Sequence, residues 1–201
     1  KQQGALFFQE PPYMCMPKAA LIILSAVLFS GCLQMLAVRS VGGIMDYGFE
    51  AFNEEGDLQL AREALASNLK LLEALIKADP ENKKVLLLAS QGYSAYALAF
   101  VEDDSIERAR SLYMRARDYG MRILHQNSQV HQAGAELDAF RKALTTLSKD
   151  DVPAVFWAAF GWGSYINVSR TAPSALADLP VVNAMMDFVL EKDPQYYYGG
   201  A

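Results

Sequence analysis

Residues 56–80 read GDLQLAREALASNLKLLEALIKADP, and this stretch decides the fold. Ala61, Leu65, Leu69, Leu72 and Ile76 recur at steps of three and four, which puts them on one face of an amphipathic helix. Asp79-Pro80 stops that helix, because proline lacks an N–H and its ring clashes with the preceding turn. The same period continues outward. A second helix is expected from about Lys83 to Phe100. A polar turn follows at Glu102-Asp103-Asp104-Ser105, then a third helix to about Leu124. Residues 126–134 are rich in Asn, Gln, Ser and His and read as a loop or a frayed helix end. Leu137–Leu147 reads as a short helix. Asp150-Asp151-Val152-Pro153 opens another, with proline in its first turn, running to about Ser169. Ala175–Leu190 reads as the last complete helix, with Pro180 near its start and Asp193-Pro194 as its stop. No convincing strand pattern occurs after Gly56.

These helices also repeat. A tetratricopeptide (TPR) unit is about 34 residues long: two antiparallel helices, small residues where they cross, and a proline after the second. Gly56-Asp57 with Ala61 four residues on fits the turn between paired helices. Lys77-Ala78-Asp79-Pro80 fits the end of the second, and Val189–Pro194 repeats that ending. The two Asp-Pro pairs lie slightly more than three units apart, the excess matching the polar insertion at about 125–150. Gln91-Gly92-Tyr93 and Gly161-Trp162-Gly163-Ser164-Tyr165 place a small residue and an aromatic where first helices need them. The expected fold is all-α: TPR-like antiparallel hairpins stacked as a short solenoid over residues 32–201. Gln195–Ala201, with its Tyr196-Tyr197-Tyr198, reads as the opening of another first helix, so the natural chain is expected to continue.

Composition narrows the function. The chain has 201 residues, of which 52% are apolar, and a net charge of −5. An acidic body argues against nucleic acid, which is bound by Lys and Arg meeting phosphate. It argues equally against anionic lipid surfaces. The two cysteines, Cys15 and Cys32, leave the body with no disulfide framework and no thiolate metal site.

Residues 1–31 read as upstream sequence and an export signal. Lys18 precedes the apolar run Ala19–Phe29, and Ser30-Gly31-Cys32 follows it. Met16-Pro17-Lys18 is the expected true start. A cysteine directly after Ser-Gly resembles a bacterial lipobox, although Phe29 stands where leucine is usual. That resemblance implies a diacylglycerol on Cys32, cleavage before it and acylation of the new amine, which would anchor the protein to a membrane. The competing reading is a spanning helix, since Ala19–Val38 approaches the required length of about 20 residues. Gln34 and the Ser-Gly-Cys step favour the signal.

Candidate sites lie in the aromatic helix. Phe156, Trp157, Phe160, Trp162 and Tyr165 crowd ten positions. Trp157 and Trp162 are five residues apart, about 140° round the helix, so the rings cannot all face one core. The alternatives are packing between hairpins and a groove. A groove would be walled by Trp157, Trp162 or Tyr165 with Tyr93 and Tyr96, and Asn167 and Gln91 would supply polar groups. Gly161 and Gly163 weaken the helix by about 1 kcal/mol each against alanine, so close packing or ligand approach must require them. His125 and His131 lack further ligands for a metal. No nucleophile motif, phosphate loop or zinc spacing is present, so neither catalysis nor a cofactor is expected.

The segment Asp151–Asn167 (DVPAVFWAAFGWGSYIN) resembles the T component of tripartite ATP-independent periplasmic (TRAP) transporters, the TatT family. Leu86–Tyr93, Arg115–Gly120 and Leu190–Ala201 support it, and the likeness covers about residues 41–201. It implies a periplasmic, lipid-anchored protein of helical hairpins that forms a homotrimer. It also implies binding to the transporter's substrate-binding protein and to a small hydrophobic ligand. The alternative is a TPR lipoprotein that scaffolds envelope or outer-membrane protein assembly.

Overall fold

A computed structural model describes residues 54–201 except 135, together with 48, 51 and 52. The signal segment and Cys32 lie outside the described residues. Those described are helical, with no strand among them. The helices are α1 (Leu58–Ala78), α2 (Lys83–Phe100), α3 (Ile106–Leu124), α4 (Ser128–Ala133), α5 (Leu137–Leu144), α6 (Val152–Asn167), α7 (Pro173–Leu176) and α8 (Leu179–Lys192). Short 3₁₀ turns cover Lys149–Asp151 and Tyr196–Gly199.

Side chains set most of the helix starts. The Asp57 carboxylate accepts from the N–H groups of Gln59 and Leu60, and Asn82 accepts from that of Val85. Ser105 does the same for Arg108. Each cap satisfies donors that have no partner inside the helix, an effect of about 1 kcal/mol. The five apolar positions that defined α1 in the sequence are its five buried residues.

Successive long helices pack antiparallel. Ser90 of α2 donates to the Ala116 carbonyl of α3 at 2.8 Å, near the middle of both. Near one end of that pair Gln126 reaches the Glu81 carbonyl, and near the other Arg108 reaches the Tyr96 hydroxyl. The α3 and α6 helices hold a constant antiparallel register: Gly120 meets Ala158, Arg117 meets Gly161, and Arg110 bonds the Val168 carbonyl. α8 then runs back along α6, with Val182 beside Gly163 and Asp178 bonded to Trp162. α6 therefore touches α2, α3 and α8 and forms the centre of the array. Tyr113, Phe156, Leu86, Leu124 and Met185 fill the core around it. Burying a Leu, Phe or Met side chain contributes about 1.5–3 kcal/mol.

The structure departs from the sequence reading in four places. Residues 128–133 form a separate helix, neither a loop nor the frayed end of α3, because Asn127 caps it and Val130 is buried beneath it. α5 stops at Leu144, where the Thr145 and Thr146 hydroxyls bond to the preceding carbonyls. The expected helix 175–190 is two helices, each with a proline in its first turn. Pro180 cannot donate to the turn before it, so α7 ends and α8 begins. Finally, Tyr196–Gly199 is a 3₁₀ turn with left-handed backbone at Tyr197 (φ 47°) and Tyr198 (φ 62°), not the opening of an α-helix.

Candidate functional site

The first half of α6 is core. Val155, Phe156, Ala158 and Ala159 are fully buried. Trp157 is 3% exposed, and its indole N–H donates to the Tyr196 hydroxyl at 3.2 Å. Its ring meets Phe156, Phe160 and Tyr197 edge to face. The Tyr196 phenol, buried in this cluster, has its pKa raised by desolvation. The tyrosines after α8 thus lie over the start of α6. Trp157 is packing, not a free groove wall.

The second half of α6 comes to the surface. Trp162 is half-buried, and its indole N–H donates to Asp178 at 3.1 Å. The Arg117 guanidinium lies 5.0 Å from the ring centroid, and Arg117 in turn bonds Asp118. This is a charged, partly exposed aromatic platform of the kind enriched at protein interfaces. Gly161 explains the approach of α3 here. A Cβ at Gly161 would stand 2.9 Å from the Arg117 nitrogen and 3.0 Å from the Tyr113 carbonyl. Gly163 has no such constraint, since its nearest neighbour would be Val182 at 3.5 Å.

Tyr165 lies one turn further on. It lines a cleft of about 500 Å³ between the first half of α3 and the end of α6, together with Glu107, Arg110, Met114, Ser169 and Thr171. Arg110 is anchored there: Nε and Nη2 donate to the Val168 carbonyl at 3.2 and 2.9 Å, and Nη1 to Glu107 at 3.1 Å. Asn167 is exposed and contributes its carbonyl to Arg170.

Tyr93 and Tyr96 belong to other surroundings. Tyr93 is 2% exposed and donates its hydroxyl to Glu73 of α1. Arg115 approaches the same carboxylate at 3.4 Å, and Lys70 bonds it at 2.8 Å. Hydrogen bonding from Lys70, then from Tyr93, holds Glu73 below the usual carboxylate range. Burial, then the bond to Glu73, pushes the Tyr93 phenol up to about 12. Tyr119 stacks on Tyr93 at 5.7 Å. Tyr113 makes the parallel arrangement with Glu102, and burial raises its pKa as well. Tyr96 is buried, with Arg108 over its ring at 5.7 Å. Gln91 is half-buried on α2. The residues to which the sequence points are thus spread over separate environments, and α6 alone joins Trp157, Trp162, Tyr165 and Asn167. No local feature of the sequence marks Arg110, Arg117, Ser169 or Thr171, since nothing local pairs α3 with α6.

The described residues bring together no group of three or more His, Cys, Asp or Glu able to hold a metal ion. No helix among them is long and apolar enough to cross a membrane. Their architecture is that of an all-helical protein of antiparallel hairpins around one aromatic helix. The family model for the TRAP transporter T-component matches residues 54–201, and the chain belongs to that family. It is accordingly a transport-associated component of the bacterial envelope. No curated protein matches the chain.

Proposed function

We propose that the protein is a periplasmic docking scaffold, anchored by lipid on Cys32, that holds the substrate-binding protein of a TRAP transporter. Membership of the T-component family carries this reading. The scaffold is TPR-like. The order of contacts, with each long helix packed on its antiparallel neighbour and α2 also touching α6, is what stacked hairpins produce. The functional unit is a homotrimer, and a small hydrophobic ligand is held or passed on; both follow from the family resemblance.

The docking surface is the exposed half of α6. Trp162 with Arg117 supplies an aromatic anchor and a cation on a rigid helix, and such residues dominate interface energetics. The purified protein should bind the purified substrate-binding protein encoded with its transporter, as measured by calorimetry. Trp162→Ala should weaken that binding by tenfold or more, about 1.4 kcal/mol. Unchanged affinity in Trp162→Ala would move the docking surface elsewhere. No binding by the wild-type protein would remove the docking role.

A further inference from the structure

We propose that the cleft between α3 and the end of α6 binds a small, neutral, polyhydroxylated molecule of carbohydrate type. The inference stands on the cleft alone and does not depend on docking at Trp162.

The cleft's charges come from Glu107 and Arg110, and these neutralise each other at 3.1 Å. An anionic ligand taking the remaining N–H groups of Arg110 would sit beside the Glu107 carboxylate as a like charge. A cationic ligand would meet Arg110 in the same way. A neutral ligand disturbs neither. An apolar ligand is disfavoured by the cleft's hydroxyls. Those of Tyr165 and Thr171 engage no partner among the described residues. Covering a hydroxyl without pairing it is unfavourable, so an apolar occupant would leave both unsatisfied.

These hydroxyls both donate and accept, which suits a ligand that does both. Arg110 adds donors: each of its Nη atoms carries two N–H groups, and one on each is already engaged, leaving one apiece. The Tyr165 ring and the Met114 side chain provide an apolar platform within the same cleft. An apolar face rimmed by hydroxyls and a fixed guanidinium matches a sugar, which presents C–H groups on one face and hydroxyls round its edge. About 500 Å³ lies within the range of small-molecule sites. Arg110 is fixed by two bonds to the Val168 carbonyl, so part of the site is organised before any ligand arrives.

The test is saturation-transfer NMR and calorimetry on the full chain, with maltose, myo-inositol and xylitol as probes and glucuronate and palmitate as comparisons. At least one neutral polyol should receive saturation on its C–H protons and bind more tightly than glucuronate, and any binding of palmitate should be indifferent to substitutions in the cleft. Tyr165→Phe with Thr171→Val should weaken it about tenfold or more while leaving the melting temperature within error. Leu71→Ala, an exposed site on α1 away from the cleft, should leave binding unchanged. The proposal is overturned if no polyol binds at about 10 mM, if glucuronate binds more tightly, if the double variant binds palmitate more weakly than the wild type does, or if the double variant binds the polyol like the wild type. Loss of Trp162-dependent docking would leave this result untouched, so the two readings fail separately.

Discussion

Gly120 of α3 faces Ala158 of α6 so closely that a Cβ on Gly120 would stand 2.7 Å from the Ala158 Cβ and 2.9 Å from its Cα. Contact at that distance is backbone against backbone, and no rotamer change can relieve it. Together with Gly161 against Arg117 and Tyr113, it sets the separation of the two helices that carry the cleft and the Trp162 platform. Glycine is disfavoured in a helix by about 1 kcal/mol against alanine, so the packing gained must exceed that cost at both positions.

Gly120→Ala and Gly161→Ala should each destabilise the protein by about 1–3 kcal/mol, the usual range for overpacking, despite the better helix propensity of alanine. Gly163→Ala should be neutral or stabilising by up to about 1 kcal/mol, because its new methyl meets Val182 at an ordinary 3.5 Å. Urea unfolding of the three variants decides this. Equal effects at 161 and 163 would show that Gly161 does not set the separation of α3 and α6.

The two tryptophans of α6 should separate in the same experiment. Trp157→Ala empties a core position ringed by Phe156, Phe160 and Tyr197 and should lower stability by about 3–5 kcal/mol. Trp162→Ala loses a half-exposed ring, one hydrogen bond and the contact with Arg117, and should lower it by clearly less. Comparable losses at both positions would make Trp162 a core residue and deprive the docking proposal of its anchor.

The aromatic helix marks how far sequence could reach. Local periodicity placed α1 and α3 because each buries one stripe, and the positions that bury it can be counted along the chain; α2 buries a wider arc, Gly92, Tyr93 and Ser94 included, because it packs against α1, α3 and α6. It failed at α4, where a single buried residue, Val130, leaves no period to count. It could show that the rings of α6 face in different directions, but not what each one meets. Trp157 is covered by tyrosines 39 and 40 positions later, and Trp162 by Arg117 from the other direction. Residue type alone suggests the same groove for Tyr93 and Tyr96. Glu73 and Arg108, carried by α1 and α3, engage their hydroxyls instead. The cleft has the same origin: Arg110 and Ser169 are unremarkable in sequence and meet only because α3 and α6 run antiparallel.

The anchor proposed at Cys32 is open to direct measurement. Intact-mass spectrometry of the membrane-extracted protein should show a chain beginning at Cys32 and heavier by its acyl groups. Cys32→Ser should release the protein from the membrane fraction or leave it uncleaved. A wild-type chain that retains residues 16–31 and carries no lipid would favour the spanning-helix reading of Ala19–Val38.

Alkaline pH should loosen the contact between α1 and α2 through Tyr93. The phenol is raised from an ordinary 10.0 to about 12 by burial and by its bond to Glu73. The fold therefore favours the neutral form more than the unfolded chain does. The resulting stabilisation is fully present below pH 10 and is lost as pH rises toward 12. Ionisation would place a phenolate beside the Glu73 carboxylate, with Lys70 and Arg115 only partly compensating. Tyr93→Phe cannot ionise, so its melting temperature should fall less steeply over that interval. Near neutral pH the same variant should be less stable by about 1.5–3 kcal/mol, the range for a hydrogen bond to a charged group. The residual alkaline slope in Tyr93→Phe should include Tyr113, which is raised in the same direction by burial and Glu102. Thermal melts at a series of pH values, followed with phenolate absorbance, test both arms. A Tyr93→Phe curve parallel to the wild type from pH 10 to 12 would rule out Tyr93 as the group responsible.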